Sequence, residues 1–158
     1  MWVICTHTYE NLGALTPSEF DALTDAVADP VCRKRARHAV YENARTIAAF
    51  DALQRGELAA FGRLMNESHV SLRDDYEVSC AEVDLLTELA WACPGVLGSR
   101  ITGGGFGGCT VSIVEDTAAE RFSETLRREY AEKTGLDAQI YTVSAGDGAH
   151  EITEEAGL

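Results

Sequence analysis

From residue 98 to residue 110 the chain reads Gly-Ser-Arg-Ile-Thr-Gly-Gly-Gly-Phe-Gly-Gly-Cys-Thr, and five of its 14 glycines fall in the six positions 103–108. Glycine tolerates positive φ and lets a backbone approach another group with no Cβ in the way. Glycine at this density specifies a loop whose backbone shape matters and whose side chains are dispensable. Its flanks, Val96–Ile101 and Cys109–Val114, are rich in residues that favour strands. The expectation is two strands joined by a loop with several positive-φ residues. A helix beginning at Gly105–Gly108 would refute it.

Taken letter by letter, Gly103, Gly105 and Gly108 satisfy G-x-G-x-x-G. The dinucleotide fingerprint, however, needs a helix straight after the loop so that pyrophosphate meets the helix N-terminus. A β-branched run follows instead. A phosphate loop of the G-x-x-x-x-G-K-[ST] type fails as well, because no lysine follows. On composition alone, a glycine hairpin with no ligand weighs about as much as all ligand-binding readings together.

A length of 158 residues implies one domain with room for a sizeable core. Thirteen basic residues against 26 acidic ones leave a formal charge of −13, which argues against nucleic acid or an anionic membrane as partner. The chain contains no apolar run of transmembrane length and no basic, signal-like opening. Cys5, Cys32, Cys80, Cys93 and Cys109 are odd in number, widely spaced and without a C-x-x-C pair. They read as reduced thiols of a cytoplasmic protein, with no metal site implied.

In chain order, residues 1–6 read as a short strand or a poorly ordered start. Thr16-Pro17-Ser18-Glu19 is a capping box opening a short helix that carries Phe20, Leu23 and Val27. A longer helix over 31–53 is expected to bury Val40, Ala44, Ile47 and Phe50. Its Arg33-Lys34-Arg35-Arg37 run fits a phosphate site less well than a solvated basic face, and His38 one turn from Glu42 reads as a surface pair. The next helix, from Glu57, holds Asn66-Glu67-Ser68-His69 and leads to Arg73-Asp74-Asp75-Tyr76-Glu77. Ser68 and His69 are about 100° apart on a helix and cannot form a nucleophile–base pair. His69 with the nearby acids matches no metal-ligand spacing, and solvent-facing or interdomain hydrogen bonding is expected of it. Two more capping boxes, Ser79–Glu82 and Thr117–Glu120, open helices over Val83–Cys93 and Ala118–Tyr130, with Gly135 closing the second. Asp137–Ser144 alternates like a half-buried strand, and the tail 146–158 is expected to be only partly ordered. The pattern is α+β: an antiparallel sheet with helices packed on it.

Three stretches carry a resemblance. The segment from Gly98 through Val111 closely resembles the third, C-terminal motif of galactokinases, within the galactokinase, homoserine, mevalonate and phosphomevalonate kinase superfamily. Met65 to Cys80, with Glu82 and Asp84–Leu86, matches independently, as do Arg35–His38 and Glu42–Arg45. Their order and spacing are similar to galactokinase over roughly residues 15–152, with residues 1–14 unaligned. The resemblance implies a ferredoxin-like antiparallel sheet with helices on one face. It also implies transfer of the γ-phosphoryl of MgATP to the 1-hydroxyl of galactose by the complete enzyme. Gly103, Gly104, Gly105, Phe106, Gly107 and Gly108 would shape the phosphate and sugar site indirectly. No catalytic residue and no metal ligand is implied among these 158 residues, because the family's catalytic, sugar-binding and ATP-loop motifs are not among them. The isolated chain is therefore expected to be inactive and to bind ATP with Mg2+ weakly at best. Its expected partner is an N-terminal kinase half, or a second copy meeting the same uncovered face. The alternative is a non-catalytic relative acting as a binding protein.

Overall fold

The computed structural model describes residues 9–146, 148 and 151. The expected strand over 1–6 and most of the expected tail lie outside the described residues. Five α-helices and two strands follow in the order α1 (Pro17–Leu23), α2 (Pro30–Gln54), α3 (Leu58–Ser71), α4 (Ala81–Ala92), β1 (Val96–Thr102), β2 (Cys109–Val114) and α5 (Ala119–Thr134). A π-helical turn, Leu72–Tyr76, continues α3.

Helix α1 starts as the sequence specifies. The Thr16 side chain accepts from the Glu19 N–H at 3.3 Å, and Glu19 Oε2 accepts from the Thr16 N–H at 2.8 Å. The other two capping boxes do not form. Cys80 and Ala118 occupy the N-cap positions, and Ser79 donates instead to Asp84 Oδ1 at 2.5 Å. Gly135 closes α5 in the left-handed conformation, as expected, with its N–H on Ala131 O.

Strands β1 and β2 are antiparallel, in register from Gly98↔Ile113 to Thr102↔Cys109, with an irregularity between Val96 and Gly98. The fold is thus α+β, a two-stranded antiparallel sheet with helices packed against it. Asp137–Ser144 forms no strand, which corrects the alternation reading. Ala138 and Ile140 still pack on the core, but Tyr141 and Val143 are exposed, and no strand among the described residues pairs with the segment.

Two apolar cores flank a polar seam. One joins Leu89 and Ala90 of α4 to Phe122, Leu126 and Tyr130 of α5. The other gathers Leu15, Phe20 and Val40. Between them α3 crosses β1 so closely that neither can carry a side chain at the crossing. A Cβ on Gly62 would lie 2.0 Å from Leu97 O, and one on Gly98 would lie 2.3 Å from Gly62 O. The edge of β1 away from β2 is closed by side chains. Asn66 Oδ1 accepts the Ser99 N–H at 2.8 Å, His69 Nδ1 accepts the Ile101 N–H at 3.2 Å, and Trp91 Nε1 donates to Ser99 O at 3.0 Å. A strand edge left unpaired would offer these groups to another chain.

Candidate functional site

The glycine loop spans the gap between paired residues Thr102 and Cys109, as expected. Gly103, Gly105, Gly107 and Gly108 have φ of 85°, 85°, 131° and 92°, and Phe106 joins them at 60°. A side chain at Gly103, Gly104, Gly107 or Gly108 would meet nothing within 4 Å. Conformation is what requires glycine at the three of these with positive φ, and the space around the loop is free. Phe106, a bulky residue in a region that glycine prefers, is 76% exposed at the loop's apex.

One anchor ties this loop down. The Phe106 N–H donates to Val78 O at 2.6 Å, and a Cβ on Gly105 would lie 2.5 Å from the same oxygen. Val78 follows the π-helical turn, whose end is marked by Glu77 at φ 59°, ψ 47°. Glycine usually takes this left-handed position after a helix. Here the Glu77 carboxylate is gripped from α2: Arg35 Nη2 reaches Oε2 at 2.5 Å and Lys34 Nζ lies 3.5 Å from Oε1. The same two side chains hold the turn's backbone, Arg35 on Asp75 O at 2.5 Å and Lys34 on Asp74 O at 3.3 Å. The hydrogen bond from Arg35 holds the Glu77 carboxyl below the usual carboxylate range. The basic run of α2 is thus a side-chain clamp on the 72–77 turn. Arg37 joins it through Asp75 Oδ2 at 2.6 Å, and Arg33 turns back onto Val27 O.

Behind the clamp the seam is buried and polar. His38 does not pair with Glu42 at the surface as expected. It is buried, its ring stacks on Tyr76 with centroids 4.6 Å apart, and its Nδ1 lies 2.9 Å from Ser71 Oγ. Ser71 donates to Asp75 Oδ2 at 3.1 Å, so Nδ1 carries the proton toward Ser71. His69 corrects the solvent-facing expectation, being fully buried edge-on to Trp91. Its Nδ1 accepts from Ile101, so the proton sits on Nε2, which lies 3.2 Å from Asp84 Oδ1 without making a well-formed hydrogen bond to it. Burial pushes both imidazoles below the ordinary histidine range, outweighing the upward pull of Glu42 and Asp75 on His38 and of Asp84 on His69. Glu42 instead accepts from Ser68 at 2.5 Å and from Arg45, with Arg100 at 3.5 Å. Arg100 also donates to Ser68 at 2.8 Å.

Sequence reasoning located the loop but missed its support. Val78 and Glu77 carry no distinguishing signal, since nothing in the letters marks a glutamate that will adopt a glycine's conformation. The Arg35–Glu77 and Arg37–Asp75 contacts join residues about 40 apart, beyond the reach of helical spacing rules. No group of three or more potential metal-ligating side chains comes together among the described residues.

A family model described as GHMP kinases C terminal matches residues 49–132, and the chain belongs to that family. It is 53% identical over 142 residues to a galactokinase of Clostridium acetobutylicum, covering 90% of this chain and 36% of that one. A Bacillus subtilis galactokinase is 47% identical over 144 residues, covering 91% and 37%. Among solved structures, Lactococcus lactis galactokinase complexed with galactose superposes with a TM-score of 0.83 at 47% identity, over 85% of this chain and 35% of that one. The chain therefore spans little more than a third of the length of the curated relatives it matches, and the part matched is C-terminal.

Proposed function

We propose that these 158 residues act as the C-terminal part of a galactokinase-like sugar kinase, which transfers the γ-phosphoryl of ATP to the 1-hydroxyl of galactose. The observation that carries this reading is identity near one half to galactokinases over nine-tenths of the chain. Phosphoryl transfer of this kind depends on positioning and on stabilising charge, and a residue set split between two segments leaves either segment idle.

The part assigned to Gly103, Gly104, Gly105, Phe106, Gly107 and Gly108 is to shape the phosphate and sugar site indirectly beside the ATP-binding segment, the glycines bringing backbone N–H groups close while the Phe106 N–H stays on Val78 O. Successive N–H groups in such a turn favour a neighbouring anion, and the empty space around four of the glycines fits that approach. MgATP supplies the phosphoryl group and the divalent cation that offsets its charge. The partner proposed is the N-terminal kinase half, in a cytoplasmic setting consistent with the free thiols of Cys32, Cys80, Cys93 and Cys109.

A non-catalytic interaction protein is the second reading, favoured by one observation. Ile47 and Phe50 of α2, expected in the core, are 58% and 61% exposed, with Leu53 and Leu58 exposed nearby. Thermal-shift titration with MgATP and galactose, separately and together, tests both. A competent site at 100-fold excess over Kd adds about 2.7 kcal/mol. The kinase reading expects no shift for the chain alone, and a shift with galactose turnover once the N-terminal half of a galactokinase is added. No turnover and no complex with that half, alongside self-association of the chain, would favour the interaction protein.

A further inference from the structure

We infer that Lys34 and Arg35 of α2, acting through Glu77 and the Val78 carbonyl, are positioning residues that set where the glycine loop sits. The Arg35 and Phe106 links are short, and those of Lys34 are longer at 3.3 and 3.5 Å. Arg35 and Lys34 bind the Glu77 carboxylate and the carbonyls of Asp75 and Asp74. Their grip opposes the cost of placing a residue with a Cβ in the left-handed region. That conformation turns the chain so that the Val78 N–H returns to Leu72 O at 3.0 Å, while the Val78 carbonyl faces the loop. There it accepts the Phe106 N–H and abuts Gly105, where any side chain would collide with it.

No other backbone hydrogen bond links the described loop residues 103–108 to a separate part of the chain. Their remaining surroundings are open. The loop therefore follows Val78, Val78 follows Glu77, and Glu77 follows α2. The clamp is ionic and about half exposed at Lys34 and Glu77. At about 1 M salt the Debye length is about 3 Å, so high ionic strength loosens it. A consequence for phosphoryl transfer rests on the kinase reading given above. The coupling itself does not.

The test is amide hydrogen exchange on the intact 158-residue chain, read at Phe106 with α5 amides around Leu126 as internal reference. Arg35→Ala is expected to speed Phe106 exchange about fivefold, the scale of one exposed ion pair, and to leave α5 unchanged. Glu77→Gly gives the turn its preferred residue while removing the carboxylate that Arg35 and Lys34 grip. It should leave the denaturation midpoint unreduced while Phe106 still loses protection, a split that a purely structural role would not produce. The reversed pair Arg35→Glu with Glu77→Arg should recover part of the protection. If Arg35→Ala loses α5 protection through unfolding, raising NaCl from about 0.05 to 1 M on the unaltered chain decides. Phe106 exchange that is indifferent to salt, or unchanged in folded Arg35→Ala, overturns the inference. None of these readouts involves ligand, so the thermal-shift and mixing experiment can fail independently.

Discussion

Glycines sit in this molecule for two unrelated reasons, and the α3–β1 crossing and the 103–108 loop separate them. At the crossing, Gly62 and Gly98 have no positive φ, and a Cβ on either would collide with backbone of the facing element at 2.0–2.3 Å. In the loop, Gly103, Gly107 and Gly108 have positive φ, and a Cβ would meet nothing. The first pair is there for proximity, the second group for backbone shape. Gly105 shares both conditions, a positive φ and a wall at Val78. Proximity concerns the stability of the whole domain, whereas shape concerns only what the loop presents.

The contrast breaks if the two groups respond alike to alanine. Gly62→Ala should cost about 3 kcal/mol, because backbone on both sides must move apart. In a chain of this size the melting temperature should fall by about 10 °C, measured by calorimetry. Next in size, His69→Leu removes the acceptor for the buried Ile101 N–H at the same crossing. A cost of about 2 kcal/mol is expected in urea denaturation, with His69→Gln milder because it keeps an acceptor. Gly107→Ala should cost about 1–2 kcal/mol of local strain, while α4 and α5 amides retain their exchange rates. Equal losses of global stability for Gly62→Ala and Gly107→Ala would erase the distinction.

The smallest effect sharpens the polar side of the crossing. His38 and His69 are held neutral in the fold, whereas the unfolded chain takes up protons near pH 6.5. The unfolded state therefore binds more protons on the acid side. The stability these groups contribute is complete above about pH 6.5 and declines as pH falls through their lowered folded values. Asp84 and Glu88 around His69, and Glu42 and Asp75 around His38, oppose the shift without reversing it. Urea midpoints at pH 7.5, 6.5 and 5.5 should fall, and less steeply in the His38→Asn, His69→Gln double variant. A flat profile in the unaltered chain would show that the imidazoles charge without penalty.

Local signals in the sequence were reliable where the determinant was local. Thr16 with Glu19, the loop's flanking strands, Gly135, and the inward face of Phe122, Leu126 and Tyr130 all depend on residues a few positions apart. The failures share a cause. Ser79 and Thr117 have capping-box letters, but Cys80 and Ala118 take the N-cap positions, and Ser79 finds a closer acceptor in Asp84. Ile47 and Phe50 continue the stripe of Val40, yet at that end of α2 it is Ala52, on another face, that is buried, while Ile47 and Phe50 stay exposed. His38 and His69 were misjudged because their partners, Ser71 and Ile101, lie more than 30 residues away. The loop was legible in its glycines. Its seat on Val78 was not, since that depends on a turn held by a different helix.

The side chains sealing β1 have a consequence for association. Endless stacking of sheets needs two open rims on every unit, so that each copy can receive one neighbour and offer itself to another. Asn66, His69 and Trp91 occupy one rim here, leaving β2 as the open one among the described residues. A second copy joining rim to rim along β2 would use up the available edge of both. Such growth ends at two subunits, and a fibre built through this sheet would first have to pull three side chains out of the seam.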